Sequence, residues 1–183
     1  MSIGTAATHP GSVSSLTSGE VVHVDPSTLS TIDHIGILAR VVLPGEATGG
    51  NFAVVEQRGR LGFMTPRHLH THESETFIVL EGALEGWCEG KSILVEAGQV
   101  LHLPAKREHA FRVASDRAHH YVLISPAGFE GFFPATGTVL DRSAFDEEPP
   151  VQGPVSPEKV EELAAWLAPR GASITGPPPF DPS

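Results

Sequence analysis

From Val21 to about Pro126 the chain reads as a succession of short apolar runs, each of strand length. Typical runs are "HIGILARVVL", "ETFIVLEG", "KSILVEAG" and "HHYVLISP", and Gly, Pro, Asn or Asp stands in most of the gaps between runs. Short strands at such even spacing indicate a sandwich or barrel and disfavour a fold that alternates strands with helices. We therefore expect an all-β fold, with residues 21–133 forming a barrel.

The two ends of the chain differ in composition from this region. Residues 1–20 are rich in Ser, Thr and Gly and are expected to form a flexible arm. Residues 134–183 are expected to form a loop, one helix and a Pro-rich tail. Ser156 is a suitable N-cap for the helix and Pro157 suits its first position, whereas Gly171 is placed to end it. An apolar stripe predicts that the helix packs on the outside of the barrel: Val160, Leu163, Ala164 and Leu167.

Charge and cysteine content limit the classes of partner. A formal net charge of -10 opposes binding to nucleic acid or to an anionic membrane, because both are polyanions. The single cysteine, Cys88, excludes an intrachain disulfide, and the N-terminal sequence lacks the basic and apolar segments of a signal peptide. We expect a cytoplasmic protein with a small-molecule partner.

The segment "PRHLHTHESETFIVLEG" contains most of the candidate metal ligands. His68 and His70 are two residues apart, so in a strand they project from the same side. The polar residues 71–74 suit a turn that would bring Glu75 back beside them, and His109 supplies a third imidazole at the start of a later run. Three nitrogens and a carboxylate suit a first-row transition metal and leave coordination positions open. The alternative is that these are ordinary polar strand residues.

Two motifs resemble those of the cupin family. The first family motif spaces a glycine, His-x-His, a glutamate and a second glycine, and it is matched in full by Gly62, His68, His70, Glu75 and Gly82. The resemblance implies a single jelly-roll barrel. It also implies one divalent transition metal ion bound by His68, His70, Glu75 and His109. Nickel, iron, manganese, cobalt, copper and zinc all remain possible.

The second cupin motif is matched only in part. Gly98, Pro104 and His109 stand at the expected positions, but Lys106 occupies the place of a glycine and Val113 that of an asparagine. These two departures concern a turn and a strand contact and leave the expected metal ligands intact.

Other histidines are interpreted differently. His72 lies where the chain turns, so it is expected at the rim of a pocket or behind the ligands, and replacement of a ligand by His72 stays open. His102 is expected to be an ordinary strand residue. His119 and His120 are adjacent and must face opposite sides of a strand, so they cannot both line a cavity.

The flanking sequences resemble small bacterial quercetinase-like (flavonol dioxygenase) cupins, notably "SPAGFEGFF" and the later "GPPP". This resemblance implies a metal-dependent dioxygenase that cleaves a flavonol-like, enolic or phenolic substrate with dioxygen, with Glu75 as ligand and base. The alternatives are a non-oxidative isomerase or polyketide cyclase, or a binding protein without catalysis. A homodimer is expected because open barrels expose sheet edges. The residues expected to line the substrate pocket are Phe63, Met64, His72, Phe77, Val79, Phe111, Val113, Phe132 and Phe133.

Overall fold

The computed structural model describes residues 21–180 of the 183-residue chain, so the expected arm of residues 1–20 lies outside the described residues. The described part contains twelve strands and two α-helices. Neither helix has the length and apolar character that crossing a membrane requires. The strands are β1 (Thr31–His34), β2 (Ile37–Leu43), β3 (Ala53–Arg60), β4 (Arg67–His70), β5 (Ser74–Glu81), β6 (Ala83–Cys88), β7 (Lys91–Glu96), β8 (Val100–Leu103), β9 (His109–Val113), β10 (Arg117–Ser125), β11 (Thr138–Leu140) and β12 (Ala172–Gly176), and the helices are α1 (Phe132–Thr136) and α2 (Pro157–Leu167).

The strands form two antiparallel sheets. The seven-stranded sheet has the order β11-β1-β2-β3-β10-β5-β8, and the five-stranded sheet has the order β12-β4-β9-β6-β7. Alternating inward side chains of both sheets make one apolar core, as expected for strands with one buried face. The expected all-β jelly roll is confirmed. Its core includes Ile32, Ile37, Val55, Phe77, Leu84, Leu103, Val113, Val122 and Ile124.

Glycines of the two motifs turn the chain between strands. Gly82 has φ +74° and Gly98 has φ +84°, a conformation that other residues rarely adopt. A Cβ at Gly82 would lie 1.9 Å from the carbonyl oxygen of Arg117, so no larger residue fits there. Lys106, which stands where the cupin motif has a glycine, also adopts a positive φ of +64°. The expected conformation is therefore kept at position 106 despite the side chain.

Strands that follow residue 133 complete both sheets. Strand β11 pairs with β1 at one edge of the seven-stranded sheet, and β12 pairs with β4 in the five-stranded sheet. The register of β12 sets Ala172 opposite His70 and Ile174 opposite His68. The C-terminal segment thus contributes strands as well as the expected helix, and one of these strands neighbours the histidines.

Helix α2 packs against the outside of the barrel, as predicted. The Ser156 hydroxyl accepts a hydrogen bond from the Lys159 N–H at 3.2 Å, so the expected N-cap forms. The buried face differs from the predicted stripe. Leu163 and Leu167 are buried, but Val160 and Ala164 are exposed. Trp166 packs instead, with ring centroids 5.2 Å from Phe132 and 6.0 Å from Phe129, because the aromatic segment at 129–133 meets the helix on that side.

Candidate metal centre

The expected ligands come from both sheets. His68 and His70 lie on β4 and His109 on β9, all in the five-stranded sheet, whereas Glu75 lies on β5 of the seven-stranded sheet. His68 and His109 are directly paired across the two strands. Residues 71–73 carry the chain from one sheet to the other, so the short segment that follows β4 delivers Glu75 to the same point as the three imidazoles.

The four side chains converge. One nitrogen or oxygen of each side chain can be chosen so that these four atoms lie within 4.8 Å of one another. The centroids of the His68 and His109 rings are 4.4 Å apart, and the Nε2 atom of His109 is 3.3 Å from the Oε2 atom of Glu75. His70, Glu75 and His109 are at most 6% exposed, so the cluster lies inside the protein.

Hydrogen bonds fix the tautomers of two histidines. The Nδ1 atom of His68 is 2.9 Å from the carbonyl oxygen of Pro66, and Nδ1 of His109 is 2.8 Å from that of Arg107. A carbonyl can only accept, so each Nδ1 carries the proton and donates it. In the neutral rings each Nε2 therefore presents a lone pair, which is the form that coordinates a metal.

The charge states also suit a cation. Burial, together with the neighbouring His109, lowers the pKa of His68 to about 3, and burial lowers the pKa of His70. Burial would raise the pKa of Glu75, but the close approach of His109 and the other nearby imidazoles outweigh burial and lower that pKa to about 2. Burial alone would lower the pKa of His109. The neighbouring Glu75 carboxylate outweighs burial, so the pKa of His109 is raised above its ordinary value. At neutral pH an ionised carboxylate thus faces two neutral imidazoles.

Unpartnered buried atoms test whether these residues fit a metal. Within residues 21–180, both ring nitrogens of His70 and the Nε2 atom of His109 are buried without a hydrogen-bond partner. Leaving buried nitrogens unpaired costs about 1–3 kcal/mol each, and a bound cation would remove that cost for one nitrogen of His70 and for Nε2 of His109. The nitrogen and oxygen donors match those that divalent transition metals accept. The residues therefore fit the group that the motifs imply.

One cavity opens onto the cluster, and six of the nine expected pocket residues line it. Rings of Phe63, Phe77 and Phe111 form an inner group, with centroids 5.7 Å apart for Phe63–Phe111 and 4.9 Å apart for Phe77–Phe111. The perpendicular ring of Phe129 approaches His70 to 4.2 Å between centroids. The expected residues that line the cavity are Phe63, Met64, Phe77, Phe111, Phe132 and Phe133.

Three expected pocket residues lie elsewhere. His72 is exposed in the turn after β4 and does not line the cavity, because the chain leaves the barrel wall there. Val79 and Val113 face inward as predicted, but they belong to the packed core and do not line the cavity. Parity along a strand gives the side of a residue correctly and does not give its depth in the barrel.

Several cavity residues were not expected from the sequence. They come from loops, from the C-terminal segment, or from strands without a metal motif, where no local pattern signals a cavity. The residues are His34, Ile35, Ile37, Gln57, Thr65, Pro66, Val122, Phe129, Gln152, Leu163, Leu167, Ala172, Ser173 and Ile174. The buried face of α2 thus closes part of the cavity in addition to packing on the barrel.

The structure places His102, His119 and His120 as the sequence predicted. His102 is exposed and bonds the Thr76 hydroxyl through Nδ1 at 2.9 Å, so it is a strand residue and lies outside the cluster. His119 faces outward and lies 2.8 Å from the Glu56 carboxylate, whereas His120 faces the interior and is fully buried. As predicted, the two adjacent side chains point to opposite faces.

Residues 61–125 match the family model described as "Cupin domain". A solved structure of a predicted oxalate decarboxylase from Thermotoga maritima superposes with a TM-score of 0.53 at 18% identity, covering 57% of this chain and 99% of that chain. The structure of KdgF from Halomonas sp. gives a TM-score of 0.47 at 20% identity, covering 52% and 85% of the two chains. Residues 61–125 are thus similar in sequence to a cupin domain, and the double-sheeted barrel agrees with that similarity.

One curated relative is similar to this chain in sequence. The chain is 34% identical over 112 residues to quercetin 2,3-dioxygenase from Bacillus subtilis, an alignment that covers 61% of this chain and 33% of the relative. The chain therefore spans about a third of the length of this relative. The sequence of this chain is similar to that part of the quercetin 2,3-dioxygenase.

Proposed function

We propose that the protein is a metal-dependent dioxygenase that uses dioxygen to cleave a flavonol-like or other enolic or phenolic substrate. The observation that carries this proposal is the convergence of His68, His70, Glu75 and His109 at the wall of an aromatic cavity. The resemblance to a quercetin 2,3-dioxygenase supports the substrate class and the use of dioxygen.

His68, His70, Glu75 and His109 would hold one divalent ion. When bound, such an ion supplies Lewis acidity, which lowers the pKa of an enolic hydroxyl that coordinates it. The Nδ1–H bonds of His68 and His109 to backbone carbonyls hold these two rings in place without using the ligand nitrogen. The protein thus orients these two ligands through main-chain carbonyls that lie just before the strands carrying them.

Glu75 would bind the ion and also accept the substrate proton. A carboxylate with a pKa of about 2 is ionised at neutral pH and is by itself a weak base. The transfer therefore requires a substrate hydroxyl that is already acidified. Glu75 is the acidic member of the cluster and is 6% exposed, so its carboxylate is largely shielded from bulk water.

The cavity walls would orient the substrate and exclude water. The phenylalanines at 63, 77, 111, 129, 132 and 133 offer ring faces and edges to a planar ligand. Such walls hold an aromatic substrate by burial of apolar surface and leave polar contacts to a few positions. An electron-rich substrate held in this way meets dioxygen without reaching bulk water.

Oxygen uptake tests the proposal. The protein is purified without added metal, analysed for its elements, reconstituted with each candidate ion, and assayed with a panel of flavonols. Consumption of dioxygen together with loss of the flavonol is expected for at least one ion. Turnover of a polyketide-like substrate under anaerobic conditions would instead identify an isomerase or cyclase, and metal loading without any turnover would identify a binding protein.

Two further expectations stay predictions of the sequence. A cytoplasmic location fits the single cysteine, Cys88, and a homodimer fits the open edge that β8 presents in the seven-stranded sheet. Light scattering on a sizing column measures the second directly.

A further inference from the structure

A polar pair interrupts the apolar inner wall of the seven-stranded sheet. The inward positions of β3 and β10 are mostly small or apolar, as with Val55, Ala118 and Val122, each at most 2% exposed. Gln57 and His120 are the exceptions. They are directly paired in the register of β3 and β10, and they are 3% and 0% exposed.

The pair has a defined hydrogen-bonding state. Burial, together with the neighbouring His119, lowers the pKa of His120 to about 3, so the imidazole is neutral at neutral pH and carries one N–H. The Nε2 atom of His120 lies 2.8 Å from the Oε1 atom of Gln57, and this N–H donates to the amide oxygen. The oxygen of Gln57 is thereby engaged, and the orientation of the amide is set.

The amide nitrogen of Gln57 is left for another partner. Among residues 21–180, the side chain of Gln57 has no hydrogen bond besides the one to His120. Its side chain lines the same cavity as His68, His70 and Glu75. The amide N–H group is therefore available to a polar group of a ligand in an otherwise apolar wall.

The position of the pair defines the shape of the ligand. His120 is paired with Val79 on β5, four residues beyond Glu75 on the same face of that strand. Four residues of antiparallel strand span about 13 Å. The backbone positions beside the cluster and beside the amide are thus separated along the barrel, which favours an elongated ligand with an oxygen acceptor at the end remote from its enolic group.

We propose that Gln57, held by His120, is a substrate-recognition residue that donates a hydrogen bond to a phenolic or carbonyl oxygen at the distal end of a multi-ring aromatic substrate. This inference rests on the proposed function, because it assumes that the enolic end lies at the histidine–glutamate cluster. In this role Gln57 gives the site a second polar contact. The protein then prefers flavonols that carry hydroxyl groups away from the enolic ring.

Two ligands and two variants test the proposal. The ligands are 3-hydroxyflavone, which has only the enolic group, and quercetin, which carries further hydroxyls. Dissociation constants are measured anaerobically on metal-loaded protein by quenching of tryptophan fluorescence, since Trp166 packs on Phe129 and Phe132 at the cavity. Gln57→Met keeps the length of the side chain and removes the amide. We expect it to reduce the preference for quercetin over 3-hydroxyflavone by about tenfold, the factor of one well-placed hydrogen bond.

Gln152→Met is the matched control. Gln152 also lines the cavity, but its amide oxygen and nitrogen already bond the main chain of Met64 at 2.9 and 3.0 Å. Its loss should change the affinities for the two ligands by the same factor. His120→Phe, which removes the group that orients the amide, should act like Gln57→Met.

The outcomes separate this inference from the proposed function. If both flavonols bind but Gln57→Met leaves the ratio of their dissociation constants unchanged, the recognition role is wrong and the proposed function stands. If neither flavonol binds the native protein, the proposed function fails first. If thermal unfolding shows that Gln57→Met does not fold, the dissociation constants of the native protein are used instead. Equal affinity of the native protein for both flavonols contradicts the role of Gln57.

Discussion

The Nε2 atom of His109 lies 3.3 Å from the Oε2 atom of Glu75, although the two residues belong to different sheets. Both side chains are buried, and each changes the pKa of the other. This contact joins the two sheets at the cluster. Removing the charge at position 75 therefore removes the group that raises the pKa of His109.

Glu75→Gln separates metal binding from turnover. The amide oxygen can still coordinate an ion, so we expect much of the metal to remain, measured by elemental analysis. The amide cannot accept the substrate proton, so turnover of a flavonol should fall by about 100-fold or more. Glu81→Gln, an exposed change on the same strand, should leave both quantities unchanged. Undiminished turnover of the metal-loaded Glu75 variant would exclude the base role.

Glu73 is expected to support His70. Its Oε2 atom is 3.9 Å from Nδ1 of His70, and within the described chain neither atom has a hydrogen-bond partner. A carboxylate behind a metal-binding imidazole strengthens the ligand, and its loss costs about 10–100-fold in metal affinity. We therefore expect Glu73→Gln to weaken metal binding by at least about tenfold, measured by competition with a chelating dye. Glu89→Gln, on the exposed surface, is the control; equal affinity in the two variants would contradict the prediction.

Ile35 is held in an unfavourable backbone conformation beside the cavity. Its φ is +59°, and a β-branched residue in this region is strained by about 1–2 kcal/mol. Ile35→Asn should therefore raise the free energy of unfolding by about 1 kcal/mol, because asparagine tolerates this conformation. Since Ile35 lines the cavity, the same change should weaken flavonol binding.

Lys106→Asn is the matched control for Ile35→Asn. Lys106 has φ +64° but is exposed and outside the cavity lining. Lys106→Asn should raise the free energy of unfolding measured in urea and leave the affinity for flavonols unchanged. If Ile35→Asn binds flavonols as tightly as the native protein, Ile35 does not shape the substrate site.

Acid should destabilise the fold partly through His34. Burial, together with the charge of Lys159, lowers the pKa of His34 from 6.5 to about 4. Between these values the unfolded chain binds a proton that the folded chain does not, so stability falls as the pH drops from about 6.5 to about 4. One such histidine lowers the free energy of unfolding by about 3 kcal/mol between pH 7 and pH 4.

His34→Phe should reduce this loss of stability by about that amount, measured by urea unfolding at several pH values. The phenyl ring can keep the contacts with Phe132 and Phe133, whose centroids lie 4.6 and 5.4 Å from that of His34. His102→Phe changes an exposed histidine and should leave the pH dependence as it is. An identical pH dependence in native protein and His34→Phe would show that His34 does not titrate on unfolding.

The strands and the cluster could be predicted because their signals are local. Alternating apolar residues marked most of the barrel strands, and the spacing of His68, His70 and Glu75 is set by one strand and one short turn. His109 required the second motif, because only the pairing of β4 with β9 brings it opposite His68.

The walls of the cavity could not be predicted in the same way. Gln152 reaches Met64 from a segment without regular structure, and Phe129 meets His70 from a short helical turn. Such contacts depend on how the C-terminal segment returns to the barrel. For α2, the periodic stripe suggested Val160 and Ala164, but the packed face is set by the aromatic residues that it meets.

Titration of metal-free protein with a divalent ion tests the central claim most directly. Binding of cobalt(II), followed by its visible absorption, should saturate at one ion per chain in the native protein. In the double variant His68→Ala/His109→Ala, whose thermal unfolding is checked in parallel, no saturable binding is expected. Binding of the same stoichiometry and affinity in that folded variant, or none in the native protein, would contradict the account.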